Sequence, residues 1–155
     1  MTKDRYQGFM AEALALADEA GSLGEVPVGA LVVQGERVIG RGFNRRESTQ
    51  DPTAHAEIIA IRQAAETLGT WRLEGCTVVV TLEPCPMCAG AMVLARVERC
   101  VYGCTDPKGG FLGTLADLSN IEGLNHQFEV QSGLMAADCS HRLTAFFRQL
   151  RRSKS

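Results

Sequence analysis

The chain has 155 residues, 45% of them hydrophobic and 22% charged, which is the size and mix of one globular domain over residues 1–155 rather than a disordered or fibrous chain. A net charge of −2 excludes a histone-like, uniformly basic nucleic-acid binder while leaving room for a local basic patch. No stretch approaches the roughly 18 apolar residues of a membrane span and the first residues lack an apolar signal core, so the expectation is a cytoplasmic protein without an export signal. The six cysteines then sit in a reducing setting, where a Cys-x-x-Cys pair is more often a metal or redox site than a disulfide framework.

Tyr6, Phe9, Met10, Ala13, Ala17 and Ala20 recur at helical spacing up to Gly21, which reads as a stop. Val28 to Val33 and Val38-Ile39, split by Gln34-Gly35-Glu36, predict a hairpin, and the polar stretch from Arg41 to Pro52 predicts a loop. Asp51-Pro52 has the form of an N-cap followed by proline at the first helical position, so a helix is expected from there to Leu68, before Gly69. Cys76 to Thr81 reads as a strand, Pro86 to Ala95 as a helix and Arg99 to Cys104 as a strand, an order that implies a parallel crossover. A glycine-rich loop, Asp106 to Gly113, and a strand at Phe128 to Gln131 lead to a last helix with Cys139, Leu143, Phe146, Phe147 and Leu150 on one face. The expected fold is a sheet of about five strands with helices on both faces.

Two clusters carry chemistry: Thr53-Ala54-His55-Ala56-Glu57 and Glu83-Pro84-Cys85-Pro86-Met87-Cys88, each at a helix start. One imidazole and two thiolates make three ligands, and catalytic zinc typically takes three protein ligands and keeps a fourth position open. Cys85 and Cys88, three apart on a first helical turn, can point to one spot, and the helix N-terminus favours their thiolates. His55 and Glu57 are two apart and would diverge in mid-helix, so they share a site only at a helix end. A redox pair would leave His55 and Glu57 unexplained. A closed structural zinc site would need a fourth ligand such as Cys76, Cys104 or His126 and would not explain the carboxylate.

The pattern H-x-E…P-C-x-x-C, here His55, Glu57, Pro84, Cys85 and Cys88, resembles the signature of zinc nucleobase deaminases. In that chemistry zinc lowers the pKa of its water and Glu57 shuttles protons to the ring and the departing ammonia. More widely, the sequence resembles the bacterial tRNA-specific adenosine deaminases, which convert wobble adenosine to inosine. The resemblance runs through Glu25-Val26-Pro27-Val28-Gly29-Ala30, Gly42-Phe43-Asn44-Arg45, Asp51 to Glu57, Thr81 to Ala91, Asp106-Pro107-Lys108-Gly109-Gly110 and Phe146-Phe147-Arg148.

That resemblance implies a cytidine-deaminase-like three-layer α/β/α fold with a central mixed sheet, one zinc ion per subunit, a homodimer and a tRNA anticodon stem-loop as substrate. It further implies that Asn44 bonds the flipped nucleotide, Val26 and Leu82 wall the base, the main chain at Ala54 reads the base edge, and Asp106, Lys108, Phe147 and Arg148 meet the RNA. After Asp138 no acidic residue follows, yet Arg142, Arg148, Arg151, Arg152 and Lys154 do, a segregation suited to phosphates and equally to a solvated tail. Two other readings keep parts of this pattern. A small-molecule nucleobase or nucleoside deaminase would use the same metal and Glu57, and a zinc-stabilised RNA-binding module would need four protein ligands and no Glu57. Cys100, Cys104 and Cys139 read as core, and Met92, Val93 and Leu94 offer more apolar surface than one buried helix face requires.

Overall fold

The computed structural model describes residues 4–153. Five strands, β1 (Gly29–Gln34), β2 (Arg37–Phe43), β3 (Cys76–Leu82), β4 (Arg99–Cys104) and β5 (Glu129–Gln131), form one sheet in the order β2-β1-β3-β4-β5. The first three strands are antiparallel neighbours, while β3, β4 and β5 run parallel, so the sheet is mixed. The parallel β3–β4 pair is the crossover expected from the strand–helix–strand order, with α4 (Pro86–Ala95) as its connection.

Alternation along the strands sorts the core into two layers. Ala30, Val32, Val78, Val80, Cys100 and Tyr102 face one side, where α3 (Ala56–Leu68) and α4 bring Ala56, Ala60, Ala64, Ala89 and Met92. Leu31, Val33, Val79 and Val101 face the other, under α1 (Gln7–Ser22) and Cys139 of α5 (Ala136–Ser153). The result is a three-layer α/β/α fold. On β2, Gly40 and Gly42 admit α3 closely, since a Cβ at either would strike the backbone of Ala60 or Ala56. Alanines on the facing side of α3 complete that contact.

Several boundaries differ from those expected. The first helix runs through Gly21 to Ser22, with Leu23 closing it. β2 continues to Phe43 and a short helix α2 (Arg46–Thr49) follows, where a loop from Arg41 is expected. The long helix starts at Ala56 rather than at Pro52, because Asp51 closes a local turn: its Oδ1 accepts from the Thr53 amide (2.8 Å) and hydroxyl (2.7 Å). An Asx turn has replaced the N-cap, the two being alternative uses of the same short side chain. At the far end α3 stops as expected at Gly69, which is left-handed at φ 70°. The last helix does not bury one whole face: Cys139 is buried, but Phe147 and Leu150 remain 41% and 38% exposed. Lys154 lies outside the described residues.

Candidate active site

His55 and Cys85 are the residues at which α3 and α4 begin. Both are extended, at φ −79°, ψ 152° and φ −77°, ψ 175°, and each is followed by a turn of helix. The later start of α3 leaves His55 outside the helix and puts Glu57 in its first turn, which resolves the angular conflict between residues two apart. His55 Nδ1 lies 3.5 Å from the Sγ of Cys85 and 3.5 Å from the Sγ of Cys88. The three ligand atoms are all within 4.8 Å of one another.

This donor set, one imidazole and two sulfurs converging on a point, fits a metal ion of the zinc type. The candidates for a fourth ligand are engaged elsewhere. The thiols of Cys76 and Cys104 point to the Glu74 and Thr81 carbonyls at 3.7 and 3.6 Å, and His126 Nε2 meets the Val97 carbonyl at 2.6 Å. Among the described residues the cluster therefore has three protein ligands.

Electrostatics follows from the geometry. A hydrogen bond from Cys88, aided by His55, pulls the Cys85 thiol down to about 4, so Cys85 is a thiolate at neutral pH. Cys88, which donates that bond, is pushed up, and the bond to Cys85 raises His55. Glu57 is 4% exposed, and burial lifts its carboxyl to about 7, where it can both take and give a proton.

The cluster opens into a cavity of about 830 Å³, the size of a small-molecule or nucleotide site. Of the residues singled out in the sequence, Val26, Asn44, Leu82, Asp106, Lys108 and Phe147 line it with His55, Glu57 and Cys85. Cys88 is fully buried behind them. Ala54 is buried beside the site, its carbonyl accepting from the Arg45 amide, and is not part of the lining; nor is Arg148, which is exposed on α5. Asn44 is held by its own side chain, which donates to the Val26 carbonyl and accepts from the Arg46 amide, both at 3.3 Å. Asp106 Oδ1 accepts from the amides of Lys108 (3.0 Å) and Gly109 (3.1 Å), so this carboxylate also shapes its own turn.

Exposed cations reach the cavity from three elements: Arg46 of α2, Lys108 of the loop after β4 and Arg151 of α5. Of the C-terminal arginines, Arg142 is instead paired with Asp18 at 2.8 Å. Two further buried carboxylates, Glu25 and Glu83, stand at the head of sequence blocks named above but have no role assigned by the sequence reading. Each supports a segment of the cavity wall, and each stands just ahead of a proline, Pro27 or Pro84, in an apolar run where an acid is rare without buried partners. Glu25 accepts from the amides of Glu47 (3.1 Å) and Ser48 (2.6 Å) at the start of α2.

A layered mixed sheet with two helix starts delivering His, Glu, Cys and Cys to one cavity defines a hydrolytic deaminase with a cytidine-deaminase-like fold. The model of the MafB19-like deaminase family matches residues 4–151. A tRNA-specific adenosine deaminase of Bacillus subtilis (strain 168) is 53% identical over 154 residues, 99% of this chain and 94% of that one. Among solved structures, one from studies of A-to-I editing by tRNA:A34 deaminases at the wobble position superposes with a TM-score of 0.84 at 45% identity, covering 88% of this chain and 99% of the other. A guanine deaminase of Bacillus subtilis superposes with a TM-score of 0.64 at 32% identity, covering 81% and 84%. The chain belongs to the MafB19-like deaminases and, within them, to the tRNA-specific adenosine deaminases.

Proposed function

We propose that the protein hydrolyses adenosine to inosine at the wobble position of a tRNA anticodon, releasing ammonia, with zinc held by His55, Cys85 and Cys88. The observation that carries this reading is Glu57, buried in the cavity wall beside the ligand cluster with its carboxyl raised to about 7 by that burial. Zinc, when bound, supplies Lewis-acid activation of water. Glu57 takes one proton from the attacking water and delivers it to N1 of the adenine, then takes the second from the hydroxyl newly bonded to C6 and gives it to the amine as the C6–N bond breaks and ammonia leaves. Val26 and Leu82, half-buried, give the extruded base apolar walls, and Asn44 gives it a fixed amide.

The cations at the cavity favour RNA over a free base. Arg46, Lys108 and Arg151 suit phosphates, which a nucleobase lacks, and Phe147 offers a ring on which a splayed base can stack. Asp106 and Arg148 join this proposed RNA-facing surface. The reading extends to a cytoplasmic homodimer: all six cysteines are free, no helix among the described residues is long and apolar enough to cross a membrane, and Leu94 on α4 is 71% exposed beside buried Met92 and Val93.

The likeness to a guanine deaminase supports the second reading, a small-molecule deaminase on the same site. Incubation of the zinc-loaded protein with an anticodon stem-loop bearing wobble adenosine, and separately with adenosine, cytidine and guanine, decides between them. Inosine in the RNA alone supports the tRNA reading; ammonia from a free base or nucleoside, with no RNA product, overturns it.

A further inference from the structure

Glu83 is 2% exposed and has no ion-pair partner among the described residues, and the chemistry above gives it no role. A carboxylate is tolerated in such a place only when its lone pairs are satisfied. Here four hydrogen bonds satisfy them: from the amides of Asp106 (3.0 Å), Leu112 (3.1 Å) and Thr114 (3.1 Å), and from the Thr114 hydroxyl. Every donor belongs to one segment, residues 106–114.

The fit leaves no room for a side chain between them, since a Cβ on Gly110 would strike the Glu83 carboxyl. The Phe111 amide adds a bond to the carbonyl of Pro84, again at the turn that leads to Cys85. One end of the segment, Asp106-Pro107-Lys108, lines the cavity. The turn that delivers the thiolate thus also holds the wall that faces substrate.

We propose that Glu83 is a positioning residue: it fastens the 106–114 segment against the active site and so sets affinity for the RNA, while the chemical step stays with Glu57. The inference rests on the deaminase reading for its substrate but not for the hold on the segment. Glu83→Gln turns one acceptor oxygen into a donor facing donors. Thr114→Val removes only the hydroxyl bond while the Thr114 amide bond stays, and serves as the milder variant.

The test uses the full-length zinc-loaded protein and reads amide hydrogen exchange, zinc content, and KM and kcat on the anticodon stem-loop. Loss of a buried charged hydrogen bond should raise exchange across 106–114 about tenfold in both variants. Zinc content stays at the wild-type value, KM rises about tenfold and kcat changes by less than about threefold. Unchanged exchange in both variants, or a fall in kcat at constant KM, overturns the proposal, as does loss of zinc in both. If the wild type forms no inosine, the deaminase reading falls, and the exchange measurement still decides whether Glu83 holds the segment.

Discussion

His55 Nδ1 lies 3.5 Å from Cys85 Sγ although the two residues are 30 apart in sequence. Each occupies the N-cap of its helix, and α3 and α4 lie on the same face of the sheet. Two helix N-termini therefore converge on one point, and their free amides and positive dipole ends favour the Cys85 thiolate. The helix start matters most for His55 and Glu57, which are two apart and would diverge within a helix, whereas Cys85 and Cys88, three apart, share a face of the first turn.

Replacing Cys85 by serine removes the thiolate on which this convergence is centred. The variant is expected to retain less than about a tenth of the wild-type zinc and to melt at least about 5 °C lower, because binding to the native state alone is stabilising. Metal analysis and thermal unfolding check both, and full zinc content would remove Cys85 from the ligand set. Chelation of the wild type should lower the melting temperature in the same direction.

Glu57→Ala is expected to keep its zinc and lose inosine formation by roughly 10²–10⁴-fold, the span of a positioned acid–base group. Single-turnover kinetics at saturating stem-loop isolates that step from binding. A reduction of less than about threefold would leave the buried carboxyl without a chemical role.

Stability should carry the mark of Glu25. Burial acts to raise its carboxyl, but the hydrogen bonds from Ser48 and Glu47 outweigh it and hold the folded-state value below the ordinary one. A depressed carboxyl stabilises above the unfolded-state pKa, about 4.3, and loses that contribution as pH falls through the folded-state value. Glu25→Gln keeps one acceptor of two, so it should cost roughly 2 kcal/mol at pH 7, and the gap should narrow below about pH 4. Urea unfolding at pH 7 and pH 3.5 measures it; a gap that widens in acid would contradict the assignment.

Salt dependence reports the cations. Replacing Arg148 and Arg151 by alanine should flatten the fall of stem-loop affinity with salt, by a slope of roughly 0.7 for each phosphate the side chains no longer neutralise. Titration of the two variants between low and moderate salt gives the slope, and an unchanged value would move the RNA path away from the end of α5.

Much is legible in the chain itself. Strand alternation and helix periodicity encode which face is apolar, so the layers and the β3–α4–β4 crossover can be read locally. His55, Glu57, Cys85 and Cys88 are legible as residue types whose spacing suits helix ends. The start of α3 falls later than expected because Asp51 has two local uses, N-cap and Asx turn, and in the fold it makes the second. Arg151 rather than Arg148 reaches the cavity, a distinction that composition cannot make on a helix where both are exposed.

By itself, then, the sequence determined the donor set, the carboxylate beside it and the layered fold, because each depends on residue type and short-range period. Only the tertiary structure decided that two helix starts meet at one point, and that Glu25 and Glu83 are buried clasps for α2 and the 106–114 segment. A carboxylate inside a protein is defined by the donors that reach it, and here those donors lie more than 20 residues away along the chain.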